Sequence, residues 1–447
     1  MDTCSNNALA FDVTHRLVLS IAVPMTLGFM TTPLLGLTST AVVGHMGNAE
    51  ALAGLAIGAM LFDLILGSFN FLRASTTGLT AQAYGRRDRH EQQAVFWRAL
   101  ISALGCGLAL LLLSPLLETA GLRLMGAEGA IAETTGTYFS IRMLAAPAAL
   151  ANYAILGFVL GRGQGSVGLV LQALINGINI LLSIYLGLSL GWGVAGVAWA
   201  TMAGETAGAL AGLFIVLRGF AKAERPAWAE IFSRHRLAEL FALNRDILIR
   251  TFVLIGAFTI MTRIGTGFGA VTLAANAVLM NFFLLSGYYL DGLANAAEQI
   301  TGRAVGARYR PAFERGLKLT TFWSFGLAAL VSGFFFLAGP WLISVLTTSP
   351  EVRQAAETYL PWAAITGLTG ALAFLMDGVF IGATWSVDMR NRMLMSFAGY
   401  LVMLAVFVPL FGNHGLWLGM NAFLLFRGFF LAMLVRPRAD QTFRAAQ

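Results

Sequence analysis

The chain is a succession of apolar stretches, nearly every one long enough to cross a bilayer. A membrane-spanning helix needs about 20 predominantly apolar residues. Such runs are read near 17–44, 51–84, 93–116, 132–161, 166–190, 193–218, 242–264, 271–303, 316–346, 353–383, 391–412 and 413–435. With 57% hydrophobic and only 11% charged residues, the chain lacks the polar groups to cover a water-soluble globule. A soluble enzyme and a disordered chain are therefore excluded, and an all-α polytopic membrane protein of twelve helices is expected. The net charge of +7 comes mostly from arginines at the ends of apolar runs rather than on a nucleic-acid-binding face.

Those arginines alternate. Arg86, Arg87 and Arg89 follow the second run and Arg162 the fourth. Lys222, Arg225, Arg234 and Arg236 follow the sixth, and Arg308, Arg310, Arg315 and Lys318 the eighth. Arg390 and Arg392 follow the tenth, and Arg436, Arg438 and Arg444 close the chain. The intervening loops, such as His45 to Glu50, are nearly free of Lys and Arg. By the positive-inside rule both termini are expected in the cytoplasm. No cleavable signal is expected at Met1 to His15, and Cys4 and Cys106 are expected to be reduced.

The two halves align without a gap at a shift of 221. Leu72 falls on Leu293, Thr80 on Thr301, Gly85 on Gly306, Gly157 on Gly378 and Gly161 on Gly382. Six spans per repeat give both halves the same orientation, with a substrate path between them. The expected division is an N-terminal lobe at 1–218, a cytoplasmic linker at 219–241 and a C-terminal lobe at 242–447.

The segment Pro33-Leu-Leu-Gly-Leu-Thr-Ser-Thr-Ala-Val-Val-Gly-His45 resembles the first-helix signature of multidrug and toxic compound extrusion (MATE) transporters, most nearly their DNA-damage-inducible F (DinF) branch. Thr76-Thr-Gly-Leu-Thr-Ala-Gln-Ala-Tyr-Gly85, Leu243-Asn-Arg-Asp246, Asp377-Gly-Val-Phe-Ile-Gly-Ala-Thr384 and Met389-Arg-Asn391 resemble that branch too. The resemblance implies a V-shaped pair of six-helix lobes and cation-coupled export of amphipathic compounds. It also exposes a departure. The family usually carries an Asp in the first helix and another in the fifth, where this chain has Ser39 and Ser183; Asn179, one turn before Ser183, matches the family's Asn. Serine does not titrate at these pH values, so a coupled proton must be carried elsewhere or not at all.

Every ionisable group at membrane depth needs a cavity or a partner. Asp291, Asn295 and Glu298 share one face of the eighth helix, extended by Tyr288, and Asp377 lies on the tenth. Two readings are open. Asp291 and Asp377 approach each other as a cation-coupling pair, with Glu298 nearer the cytoplasm. Or one of them pairs with Arg427 or Arg263 and holds helices together. Glu205, the acid of the sixth helix, either replaces the missing Asp pair or caps a neighbour. Gln172, Asn176, Asn179 and Ser183 form one polar face of the fifth helix; with Ser39, Thr40 and Asn152 they line a substrate pocket or act as interhelical glue. Arg73 and Arg142 are expected to be structural, Arg142 paired with an acid across helices.

The pattern Gly187-Leu-Ser-Leu-Gly191 has no strand before it, Gly265, Gly267 and Gly269 lack a phosphate-site context, and Gly54 and Gly58 read as a small-residue packing pair. No catalytic residue, metal site or cofactor is expected. The expected function is a monomeric antiporter: proton (or sodium) in, small amphipathic and often cationic compound out. A lipid-linked precursor flippase is the alternative; a membrane-embedded enzyme and a major-facilitator carrier are less well matched.

Overall fold

A computed structural model describes residues 9–221 and 224–444; Cys4 and Lys222 lie outside the described residues. Every regular element in it is helical. In chain order the span-length segments are α1 (His15–Gly44), α2 (Ala49–Gly85), α3 (Arg89–Met125), α4 (Gly129–Leu144 with Ala146–Gly161), α5 (Gly165–Ser189) and α6 (Gly193–Arg218). They continue with α7 (Trp228–Phe268), α8 (Ala270–Gly306), α9 (Arg310–Leu346), α10 (Pro350–Gly382), α11 (Ser386–Phe411) and α12 (Asn413–Arg444). Eleven are long and apolar enough to span, and the bent pair of α4 makes up to twelve among the described residues. The all-α, twelve-span expectation holds.

The ends differ from the hydropathy reading for a physical reason. The third run was expected at 93–116, yet α3 has 37 residues. At about 1.5 Å per residue that exceeds the ~30 Å hydrocarbon core. The Asp88 side chain accepts from the Glu91 amide and caps the start, while Gly126 at φ 61° stops the helix. Capping chemistry, not apolarity, sets these ends. Within the spans, α4 bends by 51° at Ala145, just before Pro147, whose ring cannot donate to the helix ladder. Ser183–Ser189 closes α5 as a π-helix.

The chain packs as two compact units. One comprises Leu27–Thr80 and Asp88–Leu240; the other comprises the chain up to Thr26, Ala81–Arg87 and everything from Phe241. The expected lobes, 1–218 and 242–447, differ from these units in two short segments. Both segments meet backbone closely. Gly292 of α8 lies against Ala22 and Thr26 of α1, and Gly85 and Gly306 each lie against the other helix, at the carbonyls of Arg303 and Gln82. The last two contacts are the same contact under the 221-residue shift.

The repeat is also visible within each unit. Gly157 and Gly161 of α4 pack on the carbonyls of Arg73 and Thr77 of α2. Gly378 and Gly382 of α10 pack on those of Ala294 and Glu298 of α8. All four pairs differ by 221, so both units solve one packing problem alike: backbones that approach this closely exclude a Cβ. A Cβ on Gly157 would fall 2.5 Å from the Arg73 carbonyl oxygen, whereas one on Gly105 of α3 meets nothing within 4 Å. Gly157→Val should therefore lower stability by about 1–3 kcal/mol, as overpacked cores do. Gly105→Ala should raise it slightly, by up to about 1 kcal/mol of helix propensity. Thermal unfolding of the purified protein in detergent checks both.

Candidate functional site

In the first unit, three contacts one helical turn apart align α2 with the first segment of α4. Gly54 packs on Thr134, Gly58 on Tyr138, and the Phe62 ring on the Arg142 guanidinium, whose carbon lies 3.8 Å from the ring centroid. Thr135 adds a hydrogen bond to the Gly54 carbonyl at 3.1 Å. The small-residue pair thus lets α4 come close enough to deliver Arg142 to the middle of α2.

Arg142 then completes a polar cluster. Its Nη1 donates to Tyr138 Oη at 2.9 Å, and its Nη2 donates to Glu205 Oε1 of α6 at 3.3 Å. Asn152 Nδ2 holds the Glu205 backbone carbonyl at 2.9 Å. Arg142 Nε and Glu205 Oε2 are buried without a hydrogen-bond partner. Asp63, next to Phe62, interacts electrostatically with both Arg142 and Glu205. Asp63, Arg142, Asn152 and Glu205, with Tyr153 and Gln172, form the polar lining of a cavity of about 190 Å³. Glu205 contacts the Arg142 guanidinium and Asp63, an exposed side chain, acts on it through space, so two carboxylates and one guanidinium border the cavity.

The polar face expected on α5 divides into two hydrogen-bonded chains. Gln172 Nε2 donates to Asn176 Oδ1 at 3.2 Å, and Asn176 Nδ2 donates to Thr31 Oγ1. Ser183 Oγ donates to Asn179 Oδ1 at 3.0 Å, and Asn179 Nδ2 donates to Thr201 Oγ1 at 3.0 Å. Asn176, Asn179 and Ser183 are buried and tie helices together, while Gln172 also borders the cavity. Ser39 is half-buried and Thr40 exposed. Arg73 Nε donates to Asn70 Oδ1 at 3.1 Å, across the turn that interrupts α2.

The second unit holds its own charge cluster. Asp377 of α10 accepts through Oδ2 from Arg427 Nη2 of α12 at 2.6 Å and from Arg250 Nη2 of α7. Arg427 is 2% exposed and flanked by the rings of Phe374 and Phe423. Asp291 of α8, exposed, also acts electrostatically on Arg427, so the two acids expected to meet share a guanidinium. Asn295 Nδ2 donates to the Asp291 carbonyl at 2.7 Å. Glu298, two turns on, is buried, and Tyr288 is half-buried. Arg263 is exposed near the end of α7. Among the described residues no group of three or more His, Cys, Asp or Glu is arranged to hold a metal ion.

Asp63 and Arg250 were not singled out from sequence. Asp63 is the lone acid inside the second apolar run, the signal that marks a functional group at membrane depth. Arg250 follows Arg245 closely and so reads as part of the positive end of its span.

Comparison with known proteins gives consistent matches. A family model, MatE, matches residues 24–185 and 247–410, one stretch in each half of the chain. DNA damage-inducible protein F of Escherichia coli (strain K12) is 38% identical, covering 93% of this chain and 91% of that protein. The probable multidrug resistance protein NorM of Caulobacter vibrioides is 25% identical, covering 94% of this chain and 88% of that one. Among solved structures, a MOP superfamily transporter from Pyrococcus furiosus aligns with a TM-score of 0.87 at 19% identity, over 99% of both chains. A multidrug resistance MATE family transporter aligns at 0.84 and 19%, over 96% of this chain and 97% of that one. These relatives favour multidrug efflux over the flippase alternative.

The Arg142–Glu205 pair has a thermodynamic signature. Arg142→Met leaves the half-buried Glu205 without its cation and should cost up to about 3 kcal/mol, the low end for a broken buried pair. Adding Glu205→Gln removes the stranded charge and should recover most of that loss. Unfolding of the two single variants and the double variant in detergent tests the coupling.

Proposed function

The chain belongs to the MatE family of multidrug efflux transporters, and from that premise we propose that it is a cation-coupled antiporter. It exports small amphipathic, often cationic, compounds by alternating access, and the coupled ion is a proton. The protein works as a monomer in the bacterial inner membrane with both termini in the cytoplasm, and it needs no cofactor.

The observation that carries this reading is the surplus carboxylate of the cavity bordered by Asp63, Arg142 and Glu205. Glu205 is half-buried against Arg142 while Asp63 is exposed, so the second carboxylate is open to an added positive charge that balances it. A proton supplies that charge, and so does the cationic group of a substrate. The two compete for one vacancy of charge, which is the requirement of antiport: each drives out the other. Ser39 and Ser183 leave no acid at the positions the family usually employs. Asp63 and Glu205, on α2 and α6, take over that task, and Gln172 and Asn152 orient what enters.

The acids of the other unit are placed differently. Asp377 is already neutralised by Arg250 and Arg427, so adding a proton there strands two guanidiniums. Asp291 and Glu298 remain that unit's acids for a coupled ion. Tyr288 and Asn295 lie on the same helix face and join the substrate path.

The test is proton movement in proteoliposomes holding a preset pH gradient. Adding the lipophilic cation rhodamine 6G should dissipate the gradient with wild type. Asp63→Asn and Glu205→Gln should each reduce that coupled flux at least tenfold. If the gradient is untouched by dye, proton coupling fails; if a sodium gradient drives the dye instead, sodium is the ion. If both variants couple normally while Asp291→Asn does not, coupling belongs to the second unit.

A further inference from the structure

The cluster around Arg427 is rich in donors. A guanidinium carries five N–H groups, and here two guanidiniums converge on one oxygen of one carboxylate, Asp377 Oδ2. Arg427 Nε and Nη1 and Arg250 Nε are buried with no hydrogen-bond partner. Buried unsatisfied donors are rare because each forfeits solvation without return. Pairing a charge with one partner and leaving three of its neighbours' donors idle is poor design for a purely structural tie. It is good design for a receptor, since planar guanidinium forks match carboxylates in bidentate fashion.

One side of the cluster, at Arg250, is partly open, and aromatic rings wall the other. The Arg250 side chain is 15% exposed and Asp291 beside the cluster is exposed, while Phe374 and Phe423 border the Arg427 guanidinium. An acidic group entering from the Arg250 side meets cationic donors, with aromatic surface next to them for the apolar body of an amphiphile.

We propose that Arg250 and Arg427, whose direct contact with Asp377 leaves three of their nitrogens without a hydrogen-bond partner, form a subsite for the carboxylate of an amphipathic substrate. The transported compounds then include zwitterions and aromatic acids, not only cations. Asp377 occupies the guanidiniums when no such substrate is bound and sets how strongly they attract one. This extends the exporter reading and rests on it only for the substrate being cargo.

Rhodamine 6G and its free acid differ by one ethyl ester, so they form a matched pair of probes. Binding of each to the purified protein is followed by fluorescence anisotropy in detergent. With wild type, 1-naphthoate should displace the acid and leave the ester bound. Arg250→Gln should weaken the acid about tenfold, the usual scale for one lost charge-assisted hydrogen bond, and leave the ester unchanged. Asp377→Asn, which releases both guanidiniums, should tighten the acid relative to the ester. The inference is overturned if naphthoate displaces neither or both dyes alike in wild type, an arm that needs no folded variant. It is equally overturned if Arg250→Gln shifts the two dyes together. Loss of ester binding or of its proton-coupled export would instead count against the antiporter reading, so the two failures are distinguishable.

Discussion

A charge at membrane depth must find its opposite, and most of what is distinctive here follows from that constraint. Arg142 and Arg427 are both buried, and neither is tolerable alone. Each is met by a carboxylate from another helix, Glu205 on α6 and Asp377 on α10. The two clusters balance differently. Arg142 contacts Glu205 with Asp63 acting on it through space, whereas two guanidiniums contact Asp377 with Asp291 acting on Arg427 through space. A fold that needed only to satisfy its buried charges would pair them one to one.

Close backbone packing makes that electrostatic arrangement reachable. Glycines at matching positions of the two repeats bring α4 against α2 and α10 against α8. In lipid, helices gain little from burying apolar surface against each other, so close contact and hydrogen bonds must hold them. The line from Gly54 through Gly58 to Phe62 shows the consequence: small residues at two turns let the third turn meet Arg142. The Asn179–Thr201 and Asn276–Asn413 hydrogen bonds add polar ties of the same kind within each unit.

The number and order of spans were legible in the sequence because apolarity must persist for a bilayer's width, and it does so at each segment. The repeat was legible because glycine has no substitute where a carbonyl lies beneath it. Helix ends were not, since Asp88 and Gly126 set them through capping outside the apolar core. Nor was the bend of α4, which the run 132–161 conceals. For the site, helical spacing placed Asp291 and Asp377 on faces of their helices, and charge at membrane depth marked Glu205, Arg142 and Arg427. It did not reveal which acid meets which arginine, because that depends on helices distant in sequence. Asp63 went unnoticed for want of a same-helix partner, and Arg250 was disguised by the arginine five residues before it. The face of α5 had the expected composition, yet much of it is internal hydrogen bonding rather than open lining.

The central claim is that a proton and a cationic substrate compete for one charge deficit beside Arg142. Calorimetric titration of rhodamine 6G into the purified protein near pH 7, repeated in buffers of different ionisation enthalpy, measures that competition directly. The account predicts release of about one proton per dye bound by wild type, and its loss in both Asp63→Asn and Glu205→Gln. Dye binding with no proton released by wild type would contradict it.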